Sequence, residues 1–291
     1  MLKTPRLDKL PMTLLAQLDE VSIFQTAAVY NTAVTLDKDE LADKSLLIKG
    51  TPSYGALNLG LHVKDNPAKV LNHRMQVLAA LNQHLTSKIT SLHWVNQVHG
   101  KQVYDVDAAA LSMRPVDADA LLSHQANTGL AIMTADCVPI VLYQPSTGQI
   151  AAIHAGWQGL ACGVIKATLE RFCDDGQVLA WIGACISHAH YEVGRNVYEQ
   201  LLTGCSAKQL LPQSSLDNFA SLFCATVNTD KLKINLPKLA AAELAFCGVV
   251  CRNELPIPCS YADSHYYSYR RQTHLQQPAT GRMALIIVRH T

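Results

Sequence analysis

Residues 133–159, MTADCVPIVLYQPSTGQIAAIHAGWQG, contain two apolar runs on either side of the turn sequence QPSTGQ. Cys137 stands at the front of the first run, and His154 stands at the end of the second. Short apolar runs bounded by turn residues are typical of strands that are buried on both faces. Strand ends are also where sheet proteins collect reactive groups from distant parts of the chain. The segment therefore predicts a buried sheet with a functional edge.

Helical and extended patterns alternate along the rest of the chain. Residues 66–85, NPAKVLNHRMQVLAALNQHL, form an amphipathic pattern in which Asn66 caps a helix and Pro67 fits its first position. LPMTLLAQLD, residues 10–19, is predicted as a short helix, and RMALIIVRH, residues 282–290, as an apolar strand. Strands that are apolar on both faces and interleave with helices predict an α+β (α/β) protein.

The composition describes a weakly charged globular protein. The chain has 291 residues, of which 49% are apolar and 16% charged, with a formal net charge of +1. We expect residues 1–291 to form a single domain, because no linker, repeat or low-complexity tract divides them. The near-neutral charge gives no reason to expect binding to nucleic acid or to an anionic membrane. No apolar run reaches the length of a membrane span.

The nine cysteines indicate reduced thiols rather than a disulfide framework. Their number is odd, and no two of them form a CxxC pair. Residues 1–20 lack the continuous apolar core of a signal peptide, so we expect a cytoplasmic protein. Most of these cysteines are predicted to be small hydrophobic residues of the core.

His99, Cys137 and His154 are the side chains that could carry chemistry. Each stands where a strand-like run gives way to small or turn residues. One thiolate and two imidazoles suit a zinc ion with three protein ligands and a fourth position left for water or substrate. The same residues suit a thiol nucleophile that an imidazole activates. An inert core thiol beside histidines that bond the backbone fits the spacing equally well.

Two other features are candidates for substrate binding or proton transfer. Asp136 precedes Cys137 and could act as a general base or orient an imidazole. In YYSYRRQ, residues 266–272, Arg270 and Arg271 stand beside tyrosines, a combination that suits phosphate and a planar base. The alternative for this stretch is an edge strand with alternating aromatic residues.

Six segments, taken in order, resemble the YfiH-like family, also called the laccase-domain or multicopper polyphenol oxidase family. They are LNLGLHV, WVNQVHG, MTADCVPIVLY, AAIHAGWQG, IGACISHAHYEVG and YYSYRR with TGRMALII. The signatures QVHG, ADC and HAGW in series are specific, and the resemblance runs from residue 55 to the C-terminus. It implies a single layered α/β/β/α sandwich with mixed central sheets. Residues 1–54 then form an atypical N-terminal segment.

The resemblance also implies a metal site and an activity. The metal ligands would be His99, Cys137 and His154, with zinc as the implied metal and copper also associated with the family. The implied enzyme is a purine nucleoside phosphorylase that cleaves adenosine, inosine and methylthioadenosine with phosphate and deaminates adenosine. Its partners would be a small-molecule nucleoside and phosphate, and the oligomeric state stays open.

Site residues are assigned within the resembling segments. We assign catalytic roles to Asp136 and Cys137. We assign substrate binding to Asn58, Gln97, Arg270 and Arg271.

Three other functions stay open. Some bacterial family members remove a wrong amino acid from cell-wall (peptidoglycan) precursors, which implies a Cys/His or zinc amide hydrolase. A copper-dependent polyphenol oxidase would need several coppers and clustered HxH pairs, whereas only HAH at His188 and His190 is present. A non-catalytic binding module is the third.

The chain departs from the family pattern at three places. Gln158 stands where the family has the arginine of HAGWRG, and residues 31–55 replace an N-terminal segment of the form TR.GGVS. GACISH replaces GPAIGP, which introduces Cys185 and His188. The loss of two arginines removes candidate anion contacts. The resemblance therefore supports the metal site in this chain more strongly than the phosphate site.

Overall fold

The computed structural model describes residues 10–29, 47–108, 115–173 and 176–290. Within these ranges the strands are β1 (Met12–Gln17), β2 (Val21–Thr26), β3 (Ser91–His93), β4 (Val103–Asp105), β5 (Ala120–Ser123), β6 (Thr128–Thr134), β7 (Val138–Gln144), β8 (Gln149–Ala155), β9 (Leu179–Ile182), β10 (Glu192–Gly194), β11 (Cys224–Thr226), β12 (Lys231–Ile234), β13 (Val250–Cys251) and β14 (Met283–Arg289). The helices there are α1 (Pro67–His84), α2 (Trp157–Cys162), α3 (Val164–Leu169), α4 (Arg195–Ala207), α5 (Gln213–Asp217), α6 (Phe219–Phe223), α7 (Leu236–Phe246) and α8 (Tyr269–His274).

The first sheet has the strand order β1-β2-β14-β6-β3. Its strands pair antiparallel except for β3, which runs parallel to β6. Helix α1 covers its outer face, where Val77 and Leu81 pack with Phe24 and Ile286. The helix begins as the sequence predicts, because the side chain of Asn66 accepts the N–H groups of the first turn.

The second sheet has the order β13-β9-β7-β8-β5-β4 and contains both apolar runs of residues 133–159. Its inner face packs against the first sheet, with Val141 and Ile150 in the same cluster as Ile132 and Ile287. Helices α2, α3, α4 and α7 cover its outer face. The molecule therefore has the predicted α/β/β/α layers, and the central sheets are mixed. A smaller sheet has the order β10-β12-β11. Its residues Val193, Cys224 and Ile234 pack in the same hydrophobic cluster as the helices of the outer face.

The predicted helix at residues 10–19 is wrong, because the segment forms strand β1. Burial alternates along this strand with a period of two, so that Met12 is buried and Thr13 is exposed. Leu14 lies opposite Phe24 of β2. Pairing with a neighbouring strand outweighs the weak helical preference of the segment.

Parts of the predicted N-terminal segment, residues 1–9 and 30–46, lie outside the described residues. The extent of the single domain, 1–291, and the boundary at residue 54 stay predictions. Among the described residues, no helix combines the length and the apolar character that crossing a membrane requires.

Glu243 of α7 is a buried acid in the layer of helices. Its Oε1 accepts a hydrogen bond from the Cys205 thiol at 3.9 Å, and its Oε2 has no partner among the described residues. Burial raises the pKa of Glu243 well above its ordinary value, although the bond from Cys205 acts in the opposite direction. The folded protein therefore keeps this proton at pH values where the unfolded chain has released it, and stability falls as the pH rises.

We predict that Glu243→Gln raises the free energy of unfolding, and that the gain over wild type is larger at pH 8 than near pH 4. The gain at pH 8 should be about 1–3 kcal/mol, because the variant places no ionisable group in the core. Urea unfolding at the two pH values measures it, with Glu254→Gln on the surface as the matched control. A gain that does not grow with pH would contradict the prediction.

Candidate active site and metal centre

The three candidate metal ligands lie in three separate parts of the fold. His99 lies in the loop after β3, Cys137 lies between β6 and β7, and His154 lies near the end of β8. The antiparallel register of β7 and β8 pairs Pro139 with His154, which brings the two strand ends together. One ligand atom from each residue lies within 4.8 Å of the others, and the two imidazole rings meet edge to face at 4.8 Å between centroids.

A buried carboxylate that the sequence analysis did not select, Asp119, orients two of these ligands. Its Oδ1 accepts the Nδ1–H of His154 at 2.8 Å. The same carboxylate accepts the backbone N–H groups of Val98, His99 and Gly100 at 3.3, 2.9 and 2.6 Å. Nε2 of His154 is then left free as a ligand atom, and the loop that carries His99 is fixed at the same carboxylate.

The electrostatics of the site favour a thiolate. Burial alone would raise the pKa of Cys137, but His154 and His99 outweigh it and lower the pKa of the thiol to about 6. Burial would lower the pKa of His154, but Cys137 and Asp119 together raise it. Asp119 is ionised, because the hydrogen bonds from His154 and the loop amides lower its pKa despite its burial. Sulfur is therefore available in the form that binds a metal.

Gly156 of the HAGW signature leaves space for these ligands. A Cβ at this position would lie 3.0 Å from Sγ of Cys137 and 3.4 Å from Cδ2 of His99. The φ angle of Gly156 is −67°, which any residue adopts. The requirement for glycine here is therefore one of space rather than of backbone conformation.

The donor set fits a zinc ion. One thiolate and two imidazoles are ligands that zinc accepts, and three protein ligands leave one coordination position open. Within residues 10–29, 47–108, 115–173 and 176–290, this is the one group of three or more His, Cys, Asp or Glu side chains with ligand atoms this close together.

A cavity of about 390 Å³ opens onto the three ligands. Its wall contains three further residues that the sequence analysis selected, Gln97, Asp136 and Arg270. Aromatic side chains of Trp157, Tyr191 and Tyr269 also line it, together with Gln158, His62 and Arg282. The volume is in the range of pockets that bind small molecules.

Gln97 and Arg270 are both held in place at the cavity wall. The Gln97 amide donates to the carbonyl of Met133 at 2.8 Å and accepts the Met133 N–H at 2.9 Å. The Arg270 guanidinium donates to the carbonyl of Glu192 at 2.7 Å and lies 5.4 Å from the centre of the Tyr191 ring. The remaining donors of the guanidinium stay available to an anion.

Asp136 connects the metal ligands with helix α8. One carboxylate oxygen accepts the Ser260 hydroxyl, and the other accepts the Arg270 N–H, both at 2.7 Å. The residue has φ +110°, an uncommon value for a side-chain-bearing residue. Burial raises the pKa of Asp136, although these hydrogen bonds act against it. Its proposed part in proton transfer stays a prediction.

The structure does not bring Arg271 and Asn58 to the cavity. The stretch YYSYRRQ leads into helix α8, not into an edge strand, so consecutive residues point in different directions. The Arg271 guanidinium donates to the carbonyls of Ser260 and Tyr261 at 2.8 Å and also to that of Tyr266. The Asn58 side chain is completely buried. Its Oδ1 accepts the backbone N–H groups of Gly60 and Arg282. The side chains of Asn58 and Arg271 therefore hold loops together.

Arg282 and His62 are cavity residues that the sequence analysis missed. The Arg282 side chain passes over Gly60, where a Cβ would lie 2.8 Å from Cγ of the arginine. Its guanidinium donates to the carbonyls of Thr280 and Gly281, and burial lowers its pKa. Burial and the neighbouring Arg282 lower the pKa of His62 to about 4, so its imidazole is neutral. Both residues stand in quoted motifs, LNLGLHV and TGRMALII.

Comparison with known families gives one match that covers most of the chain. Residues 49–290 match the family described as multi-copper polyphenol oxidoreductase laccase. The chain is 34% identical over 258 residues to a protein of Shigella flexneri named purine nucleoside phosphorylase YfiH, covering 87% of this chain and 95% of that protein. It is 35% identical over 240 residues to the protein of the same name in Escherichia coli (strain K12), with 81% and 87% covered.

Solved structures share the fold. The crystal structure of Neisseria meningitidis protein NMB0706 matches with a TM-score of 0.73 and 26% identity, covering 97% of this chain and all of that one. The hypothetical protein YfiH of Bacillus licheniformis matches with a TM-score of 0.72 and 23% identity, covering 97% and 98%. The layers described above are therefore those of these proteins.

We predict that Asp119→Asn weakens zinc binding about 10- to 100-fold, the usual effect of losing a partner behind a ligand histidine. An amide would replace one accepting oxygen with an NH₂ group at a site that already holds four donors. Zinc titration against a competing chelator measures the affinity, and thermal melting shows whether the variant stays folded. Asp117→Asn is the matched control, because that exposed carboxylate bonds only to Asn96 among the described side chains. Folded Asp119→Asn with wild-type zinc affinity would contradict the prediction.

Proposed function

The chain belongs to the multi-copper polyphenol oxidoreductase laccase family, and we propose that it is a purine nucleoside phosphorylase with zinc held by His99, Cys137 and His154. The observation that carries the proposal is a cavity with a metal-ligand triad and two arginines, Arg270 and Arg282, in the same wall. The names of the Shigella and Escherichia relatives support the reaction class. Adenosine, inosine and methylthioadenosine are the proposed substrates.

Phosphorolysis needs a phosphate oxygen placed against the anomeric carbon of the ribose, while the bond from that carbon to the purine breaks. Arg270 and Arg282 are the guanidinium groups that would hold the phosphate, because their forks match its oxygens. Arg282 replaces Arg271 in this role, since the guanidinium of Arg271 is bonded to carbonyls outside the cavity. Holding the phosphate in place removes much of the entropic barrier to the reaction.

The purine would occupy the aromatic part of the cavity. Trp157, Tyr191 and Tyr269 offer ring faces or edges to a planar base. His62 is neutral and could donate or accept one hydrogen bond from the base or the ribose. When bound, zinc would supply a Lewis acid with one open coordination position.

Adenosine deamination is the finer part of the proposal. The reaction requires a group that gives a proton to the departing amine, and Asp136 is the acid that adjoins Cys137 in the cavity wall. Its pKa is raised, which increases the protonated fraction needed for this role. Both of its oxygens are engaged by Ser260 and Arg270, so proton transfer would require one of these bonds to exchange for substrate.

A thiol-dependent amide hydrolase, acting for example on a cell-wall precursor, is the second candidate. The lowered pKa of Cys137 and the two adjacent imidazoles favour it, because they describe an activated nucleophile. The two candidates differ in their response to metal removal. A hydrolase of this kind would retain activity in the presence of a chelator and trap an acyl group on Cys137.

We predict that the protein converts adenosine or inosine and phosphate into the free base and ribose 1-phosphate. Cys137→Ala should lose bound zinc and lower the rate by about 10²-fold or more, as removal of a transition-state contact does. Chromatography of the products and metal analysis of the same sample measure both quantities. Cys251→Ala is the control, because that thiol is exposed and outside the cavity. Full activity in zinc-free Cys137→Ala would remove the metal from the mechanism.

We predict that Arg270→Gln and Arg282→Gln each raise the KM for phosphate by about 10-fold or more, because each removes charged hydrogen bonds to the anion. The KM for the nucleoside should change less. Initial rates at varied phosphate and fixed nucleoside measure the effect, and Arg252→Gln on the surface is the matched control. If neither variant changed the KM for phosphate, the anion would have to bind elsewhere.

A further inference from the structure

Cys185 and Cys259 form a pair of neighbouring thiols outside the cavity wall. The two residues are partners in a parallel β-bridge. The Cys185 N–H donates to the Pro258 carbonyl at 3.2 Å, and the Ser260 N–H donates to the Cys185 carbonyl at 2.9 Å. Both thiols are free, with Cys185 buried and Cys259 half-buried. Cys185 is one of the residues by which this chain departs from the pattern GPAIGP.

The sulfur of Cys259 lies in a nest of hydrogen-bond donors. It accepts the backbone N–H groups of Ser187 and Ala262, each at 3.4 Å. Nδ1 of His190 lies 3.5 Å from the same sulfur, and the His190 ring is stacked on Tyr261 at 4.7 Å between centroids. Two backbone N–H groups and an imidazole nitrogen therefore contact one half-buried sulfur, and reactive cysteines are found in polar, partly exposed surroundings of this kind.

Three other thiols are more exposed than Cys259, but among the described residues none of the three has comparable donors at its sulfur. Cys173, Cys247 and Cys251 are exposed. Burial of the sulfur nevertheless raises the pKa of Cys247 and of Cys251, and it raises that of Cys185 strongly. Reactivity should therefore follow the surroundings of Cys259 rather than exposure alone.

The β-bridge places Cys185 where it can react with a modified Cys259. Neighbouring strands lie about 4.8 Å apart, and directly opposed residues point to the same face. That spacing falls within the range of Cα distances that disulfides span.

We propose that Cys259 is a modification site for peroxides and that Cys185 is its resolving thiol. The Cys259 thiolate attacks one oxygen of the peroxide, the O–O bond breaks, and the departing alkoxide or hydroxide takes up a proton. The Cys259 sulfenic acid then reacts with the Cys185 thiol, which forms the disulfide and releases water. In sum, two thiols and one hydroperoxide give one disulfide, one alcohol and one water.

The pair is connected with the metal site through Asp136. The Ile186 N–H, next to Cys185, donates to the Asp136 carbonyl at 2.9 Å. The Ser260 hydroxyl, next to Cys259, donates to the Asp136 carboxylate at 2.7 Å. Asp136 directly precedes Cys137, so a disulfide would join the two segments that hold the residue before a metal ligand. We expect oxidation of the pair to lower turnover, a consequence that rests on the proposed function.

Peptide mapping of zinc-loaded protein tests the modification without any activity assay. After treatment with hydrogen peroxide and blocking of free thiols, the peptides of Cys185 and Cys259 should be linked with the loss of two hydrogens. Cys185→Ser should instead accumulate a sulfenic acid on Cys259, trapped by a dione reagent. Time courses in the wild-type protein should show Cys259 oxidised about 10-fold faster than Cys251. His190→Asn should slow this reaction, whereas His265→Asn, a nearby half-buried control, should not.

Several outcomes would overturn the proposal. If Cys259 were oxidised no faster than Cys251, Cys259 would not be the reactive site that we propose. A persistent sulfenic acid on wild-type Cys259, with Cys185 unlinked, would remove the resolving role. Turnover is then compared in oxidised wild type and oxidised Cys259→Ser, and an equal loss in both would assign the effect to Cys137 instead. Absence of nucleoside turnover in the reduced protein would contradict the proposed function alone, because the mapping does not depend on activity.

Discussion

The buried carboxylate of Asp119 is the interaction on which the candidate active site depends. It stands just before β5 and joins the imidazole of His154 on β8 to the backbone of the loop that carries His99. A buried charge without partners costs several kcal/mol. The segments that carry the four donors must therefore stay folded around this carboxylate to avoid that cost. The geometry of two metal ligands is thereby coupled to the integrity of the second sheet.

The third ligand depends on the pairing of two strands. Cys137 occupies the short connection between β6 of the first sheet and β7 of the second, where the chain crosses between the two central layers. The register of β7 against β8 then brings its sulfur to His154. Gly156 leaves the space that this approach needs. The candidate metal site is therefore a product of the sheet packing and not of a local motif.

The two arginines that we propose as the anion site of the cavity come from the C-terminal region. Arg270 belongs to α8, whose N-terminal backbone is bound by Asp136, and Arg282 directly precedes β14. Each guanidinium is held by backbone carbonyls, so its position is set before any ligand arrives. Such preorganisation lowers the entropic cost of binding an anion. Gln158 also lines this cavity. Among the described residues, Arg270 and Arg282 are the arginines that line the cavity.

Hydrophobic patterning in the sequence determined the buried strands, helix α1 and the α+β (α/β) class, because period and capping are local properties. The arrangement in α/β/β/α layers was implied by the family resemblance. The set His99, Cys137 and His154 came from the resemblance of their motifs to those of the family, because their spacing alone fits an inert thiol and backbone-bonded histidines equally well. Only the tertiary structure decided that residues 10–19 are a strand, since pairing with β2 outweighs local propensity. It also decided that Arg282 and not Arg271 faces the cavity, and that Asp119 orients His154. Those facts depend on contacts between residues far apart in the chain, which no local pattern encodes.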